Sequence, residues 1–239
     1  MQSIKAKKLS WWTRITSFFF GCWWGVKRLL PSRKPLVRVY LPKGFANEPR
    51  TRVAVHEAGH AIASFVSPSV TKIDSITVTV TEFENGETTI DGKVCAKLVR
   101  VVPNLEDCWE QVVIRVAGLA AEALIYGYFM SSDAEQDLYD ARDFAERIIE
   151  LECESGRHKD AFYSCPWNID PLVKTYFDFA GCVDLILIIA PKESEILNLC
   201  YARAQTLIRE KRRQLDALAT TLEKKDFLTD FESKSILTS

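Results

Sequence analysis

The sequence predicts an α+β fold, mostly helical, with one small antiparallel β-sheet. Three observations lead there. Four stretches carry apolar residues at helical spacing, with start and stop signals at their ends. One region, 76–98, instead alternates apolar and polar residues around turn signals. A His-Glu-x-x-His pattern, His56-Glu57-Ala58-Gly59-His60, falls inside the first helical stretch. With 239 residues, 47% of them hydrophobic, the chain can bury one sizeable core but not two large ones. Its organisation reads as a basic, aromatic N-terminal segment and linker (1–46), a body (47–230) and a C-terminal tail (231–239).

The charge is lopsided. Of 31 basic residues, ten precede Glu48, the first acid; the remaining 21 face all 32 acidic residues. A basic end on an acidic body suits an anionic surface, phospholipid ahead of nucleic acid, and no nucleic-acid partner is expected. Residues 15–26 form an uncharged run bracketed by Trp11, Trp12, Trp23 and Trp24. Twelve residues fall short of the ~20 that a membrane-crossing helix needs. Aromatic rings with basic flanks suit the headgroup region, so residues 1–38 are expected to make peripheral membrane contact. The competing reading is an arm packed on the body or on a partner. A secretory signal is disfavoured because Lys27-Arg28 follows the run without a cleavage site of small residues. Pro31, Pro35, Pro42 and Gly44 mark a linker. Seven cysteines, an odd number without Cys-x-x-Cys spacing, argue for reduced thiols and an intracellular, cytoplasmic location, associated through the N-terminus with a membrane surface.

Asn47 and Pro49 are expected to open the first helix, which runs to Val66 with Val53, Ile62 and Phe65 on its apolar face; Ser67-Pro68-Ser69 ends it. Ile76, Val78 and Val80 alternate with threonines, as do Val94, Ala96 and Leu98 with polar residues, and Asn85-Gly86 and Asp91-Gly92 read as turns. Pro103 and Asn104 open a second helix whose stripe is Val112, Val113, Val116, Ala120 and Leu124, ending near Gly127. Ser132-x-x-Glu135 is a capping box for a third helix reaching Leu151. Residues 153–180 show no clear period, and 183–190 are nearly all apolar. One long helix is expected over 192–223.

Residues four apart on a helix share a face, so His56 and His60 can each turn an imidazole nitrogen to one metal ion. Zinc suits such ligands and keeps a position open for water. Glu57, beside the first histidine, can take that water's proton as general base for attack on a peptide carbonyl. Ala58 and Gly59 keep this helix slim, which is expected to admit a substrate backbone. The bland alternative is a helix with two histidines and no metal. A third ligand is required, and spacing alone does not choose between His158 and the many carboxylates.

The run 52–61, Arg-Val-Ala-Val-His-Glu-Ala-Gly-His-Ala, resembles the peptidase domain of FtsH-type zinc proteases, which usually sits behind an AAA+ ATPase module. Three further blocks follow in the right order: 118–127, Gly-Leu-Ala-Ala-Glu-Ala-Leu-Ile-Tyr-Gly; 133–138, Asp-Ala-Glu-Gln-Asp-Leu, with Ala141 and Ala145 after it; and the supportive stretch 196–222. The likeness spans about 50–228, interrupted over 153–190. It implies zinc as cofactor, with Asp137 as the third ligand in the first turn of the third helix. Asp137 could otherwise be an acid favoured by that helix's macrodipole. Glu122 is the candidate partner of a ligand histidine, or an ordinary salt-bridge residue. Leu119 and Ala123 depart from the family's arginine and glutamate, and no Gly-x-x-x-x-Gly-Lys-Ser/Thr is present.

The expectation is therefore a zinc metalloendopeptidase without its own ATPase, acting on unfolded or small proteins and peptides. An AAA+ ATPase partner and a homo-oligomer are the candidate assemblies. A substrate strand is expected to add to the sheet edge along 76–80. The alternative is a catalytically silent FtsH-like partner subunit of an AAA+ protease; a third reading makes the body a membrane-surface scaffold. Glu57 favours activity, since a structural zinc site needs no base. No cysteine looks catalytic.

Overall fold

A computed structural model describes residues 49–82, 88–127, 131–155, 165–167 and 191–239. The predicted Asn47 cap, the Asn85-Gly86 turn, His158, the apolar run 183–190 and the whole 1–46 segment lie outside these residues. The order of elements is α1 (Pro49–Val66), β1 (Val70–Glu82), β2 (Thr88–Leu98), α2 (Leu105–Tyr126), α3 (Ser131–Glu154), α4 (Pro191–Glu210), α5 (Arg212–Lys224), β3 (Phe227–Thr229) and α6 (Asp230–Leu237). Among them no helix is long and apolar enough to cross a membrane.

Helix α1 is the centre of the body. It is buried from Arg52 to Ser64, and only Phe65 and Val66, at its end, emerge. Phe65 is thus not part of the core that its spacing predicted. Four alanines, Ala54, Ala58, Ala61 and Ala63, make α1 narrow enough to be enclosed by α2, the sheet and α5. Gly59 serves the same end. A Cβ there would stand 2.5 Å from the Ala117 carbonyl oxygen and 2.8 Å from the Ala121 Cβ. Its missing side chain therefore lets α2 approach, rather than a substrate backbone.

Helix α2 starts and stops where predicted. Asn104 accepts from the Asp107 N–H while Asp107 accepts from the Asn104 N–H, a reciprocal cap, and Gly127 closes the helix at φ 77°. Its stripe is buried, with Leu124 packed at the margin of the core. Helix α3 begins at Ser131, so Ser132 lies inside it, and Asp137 falls in the second turn rather than the first. Leu138, Ala141, Ala145 and Ile148 form its inner stripe. The single C-terminal helix expected over 192–223 is two, bent at Lys211. Neither glycine nor proline marks the bend. On either side of the bend, α4 packs mainly on α2, and α5, with its buried Leu215, Leu218 and Leu222 stripe, packs on α1.

The sheet has strand order β2-β1-β3 and is antiparallel throughout. Two corrections follow. Asp91-Gly92 is no turn: it lies within β2, where Thr79 pairs with Asp91 and Val78 with Gly92. And the stretch 76–80 is not a free edge throughout. Ile76 pairs with Val94 on one side and Leu228 on the other, and the Val78 N–H donates to the Asp226 carbonyl; among the described residues the outer side of β2 is unpaired. The pattern around 227–229 is too short to register as a strand. After it, Thr229 and Glu232 form a reciprocal cap for α6, whose Leu237 is buried, so the stretch read as a tail packs against β1.

Candidate metal centre

Two elements bring the site together. His56 and His60 project from one face of α1, and Asp137 reaches them from α3. The His56 Nε2 lies 2.8 Å, and the His60 Nε2 2.9 Å, from the same Asp137 oxygen, Oδ2, and the two nitrogens are 2.9 Å apart.

The far side of each ring fixes the role of its Nδ1. The His60 Nδ1 is 2.7 Å from the Ile114 carbonyl, which can only accept, so Nδ1 donates. The His56 Nδ1 donates in the same way to Glu122 Oε1 at 2.6 Å. With Nδ1 donating, each ring has Nε2 left to bind a metal, so two Nε2 atoms and a carboxylate oxygen turn on one point. Such a convergence of acceptors is stable only around positive charge. Three ligand atoms of nitrogen and carboxylate type, buried on one side and open to a cleft on the other, fit a zinc ion. They stand slightly closer than ligands at ~2.0–2.1 Å from a zinc would.

The electrostatics agree. Burial opposes charge on His56, but hydrogen bonds to Asp137 and Glu122 and the charges of Glu122 and Glu57 outweigh it and raise its pKa to about 10. Burial would raise Asp137, yet the His60 and His56 rings hold it well below the usual carboxylate range. A field that favours a proton on His56 favours a cation at the same place.

Glu122 is fully buried and links inward. Its Oε2 accepts from Arg52 Nε at 2.7 Å, and the Arg52 guanidinium lies 5.5 Å from the centre of the Tyr126 ring. Arg52, one turn before His56, therefore balances the charge of the carboxylate that orients His56. Sequence reasoning had singled out Glu122 but missed Arg52. The signal available was a basic residue at i−4 from a candidate ligand, on the same helix face.

Glu57 points elsewhere. Its carboxylate also comes within 4.8 Å of the imidazole nitrogens, so two carboxylates are close to one point. Position distinguishes them: Asp137 touches both Nε2 atoms, whereas Glu57 lies along β2. A Cβ on Gly92 would stand 2.2 Å from Glu57 Oε1. Burial raises the Glu57 pKa, partly countered by His60 and His56. Gly118 plays the matching part for the ligand, since a Cβ there would stand 2.5 Å from His56 Nε2. The sequence reading takes Gly92 for a turn and Gly118 only as part of a family-like block. The available signal was Gly92 inside an alternating stretch, which marks close approach as readily as a turn.

These groups line a cleft of about 550 Å³ between α1, α2, α3 and β2, with Ile90, Lys93 and Arg115 on its walls. The cysteines stand apart. Among the described residues Cys95, Cys108, Cys153, Cys165 and Cys200 are free thiols, and burial pushes Cys108 up to about 11.

Comparison with known proteins gives a consistent answer. Residues 44–151 match the profile of peptidase family M41. Among curated proteins, the chain is 24% identical over 186 residues to the ATP-dependent zinc metalloprotease FtsH 3 of Petrotoga mobilis, covering 77% of this chain. It is 29% identical over 189 residues, 79% of the chain, to FtsH 1 of Methylacidiphilum infernorum, which bears the same description. The similarity to the Thermotoga maritima protein so described is 23% over 196 residues. These alignments span 28%, 29% and 30% of the relatives' own lengths.

Proposed function

The chain carries an FtsH-type peptidase domain, and from that premise we propose that it is a zinc-dependent endopeptidase. His56, His60 and Asp137 are the ligands in this reading, Glu57 is the general base, and Glu122 with Arg52 orients His56. What supports it above all is the meeting of His56 Nε2, His60 Nε2 and Asp137 Oδ2 within 2.9 Å at the wall of a cleft.

Zinc at such a site supplies Lewis-acid polarisation of a carbonyl and acidification of water. The residues supply the rest. Hydrogen bonds to the Ile114 carbonyl and to Glu122 hold both rings with Nε2 toward the ligand point. Glu57, its pKa raised by burial, takes the proton from water as the new C–O bond forms. When the peptide C–N bond breaks, Glu57 returns that proton to the leaving nitrogen. An extended segment fits along the free edge of β2, where main-chain hydrogen bonds give affinity with little sequence selectivity. Unfolded or small proteins are the substrates such a site suits. By likeness to relatives described as ATP-dependent, an AAA+ ATPase is the proposed partner that delivers them.

The test is zinc content and casein hydrolysis, side by side, for the wild type and Glu57→Gln. The variant should keep about one zinc per chain and lose cleavage by roughly a hundredfold or more. If both proteins bind zinc and neither cleaves, alone or with an AAA+ ATPase, the silent-subunit reading replaces this one. If the wild type binds no zinc, the metal centre itself is misread.

A further inference from the structure

Among the described residues, Arg115 is one of two cations on the cleft wall, with Lys93, that the metal centre does not use. It sits on α2 between the two points at which that helix touches the histidines. The carbonyl of Ile114, its neighbour, holds His60 Nδ1, and Gly118, three residues on and so on the same helix face, lies against His56. Its side chain lines the same cleft as Glu57, His56 and His60. It is close enough to Glu57 for its charge to act on that carboxylate.

The guanidinium is incompletely satisfied. Its Nε is buried and has no hydrogen-bond partner among the described residues. Its Nη1 reaches Asp140 only at 3.5 Å, and Asp140 already accepts from Gln136 Nε2 at 2.7 Å. Asp140 lies one helical turn beyond Asp137, so this loose ion pair links α2 to α3 beside the cleft. Buried donors in folded proteins are nearly always paired. Arg52 is tied to Glu122 by a 2.7 Å hydrogen bond, whereas Arg115 makes only the 3.5 Å contact to Asp140 among the described residues and keeps donors in reserve at the edge of a substrate-sized cavity. The side chain is 38% exposed, so it can adjust to a ligand without leaving the core.

We propose that Arg115 is a catalytic residue, donating hydrogen bonds to the carbonyl oxygen of the scissile peptide as negative charge develops there. This rests on the endopeptidase reading above. Preorganised donors aimed at developing charge in a partly water-excluded site are commonly worth two to three orders of magnitude in rate. Asp140 acts as the positioning residue that keeps the guanidinium at the mouth until substrate enters.

The experiment uses zinc-loaded wild type, Arg115→Met and Arg115→Lys. It measures kcat and KM on an unstructured fluorogenic peptide, bound zinc, and calorimetric affinity for a peptidyl phosphinate, whose tetrahedral anion mimics the charged state. Arg115→Met should lose roughly a hundredfold in kcat and a similar factor in phosphinate affinity, with zinc content and KM nearly unchanged. Arg115→Lys should recover part of both. Unchanged kcat and phosphinate affinity in Arg115→Met overturn the proposal, as does a loss of activity that merely follows lost zinc or lost folding. Should the wild type fail to cleave peptides, the phosphinate still discriminates. A drop in its affinity in Arg115→Met then keeps the Arg115 contact while the endopeptidase reading falls.

Discussion

Replacing Gly92 with alanine separates the base from the metal centre more cleanly than any change to a charged residue. The new methyl would start 2.2 Å from Glu57 Oε1 and 2.5 Å from its Cδ and Cγ, roughly 1 Å short of van der Waals contact. The strand is held through its pairing with β1, so the flexible carboxylate gives way. A displacement of about 1 Å in a group that must meet a reacting water costs on the order of a hundredfold in rate. Gly92→Ala should therefore lower kcat by about that factor on a fluorogenic peptide, with bound zinc unchanged and circular dichroism that of the wild type. Gly118→Ala is the counterpart. Its methyl would start 2.5 Å from His56 Nε2, and that ring cannot retreat because Glu122 holds its other nitrogen. Here zinc affinity should fall, by roughly ten- to a hundredfold, before any change in the base. Full kcat in Gly92→Ala, or loss of zinc by Gly92→Ala with retention by Gly118→Ala, would refute this account of where Glu57 lies.

Four further outcomes are expected. Glu122→Gln should weaken zinc binding roughly ten- to a hundredfold in a chelator competition. Arg52→Met, which removes the cation balancing a fully buried Glu122, should cost about 3–5 kcal/mol in urea unfolding; a loss under 1 kcal/mol would show that other contacts of Glu122 suffice. Gly59→Ala gains about 1 kcal/mol of helix propensity but drives a methyl to 2.5 Å from a backbone oxygen that cannot turn aside. Overpacking of about 1–3 kcal/mol should outweigh that gain, so a more stable variant would contradict the close α1–α2 contact. Proline scanning over 91–94 should alternate: where the N–H points out from β2, peptide affinity falls with the fold intact, and where it points to β1 the sheet is lost. Uniform results along the strand would exclude edge binding there.

How much of this was legible in the sequence depends on the distance over which each feature is determined. The ends of α2 are set by Asn104, Asp107 and Gly127 within one turn of chain, and they fall where predicted. The pairing of His56 with His60 follows from helical spacing, a local property. Asp137, 77 residues beyond His60, had no local signature, and only its likeness to a family block pointed to it. The bend at Lys211, the third strand and the helix after it were not legible. Each exists because it fits a neighbour: α5 against α1, three residues of β3 against β1, Leu237 under the sheet.

Hydrophobic period, caps and i, i+4 spacing act within a few residues, so the class of the fold, the ends of α2 and the shared face of His56 and His60 are written locally in the chain. What each small or charged residue is for depends on packing between distant segments. Gly92 looked like a turn and proved to be the space for Glu57. Gly59 looked like room for a substrate and proved to be room for α2. Arg52, unremarked in the sequence, balances Glu122 across 70 residues of chain. A missing side chain or a buried charge has meaning only relative to the atoms packed against it, and those atoms come from elsewhere in the chain.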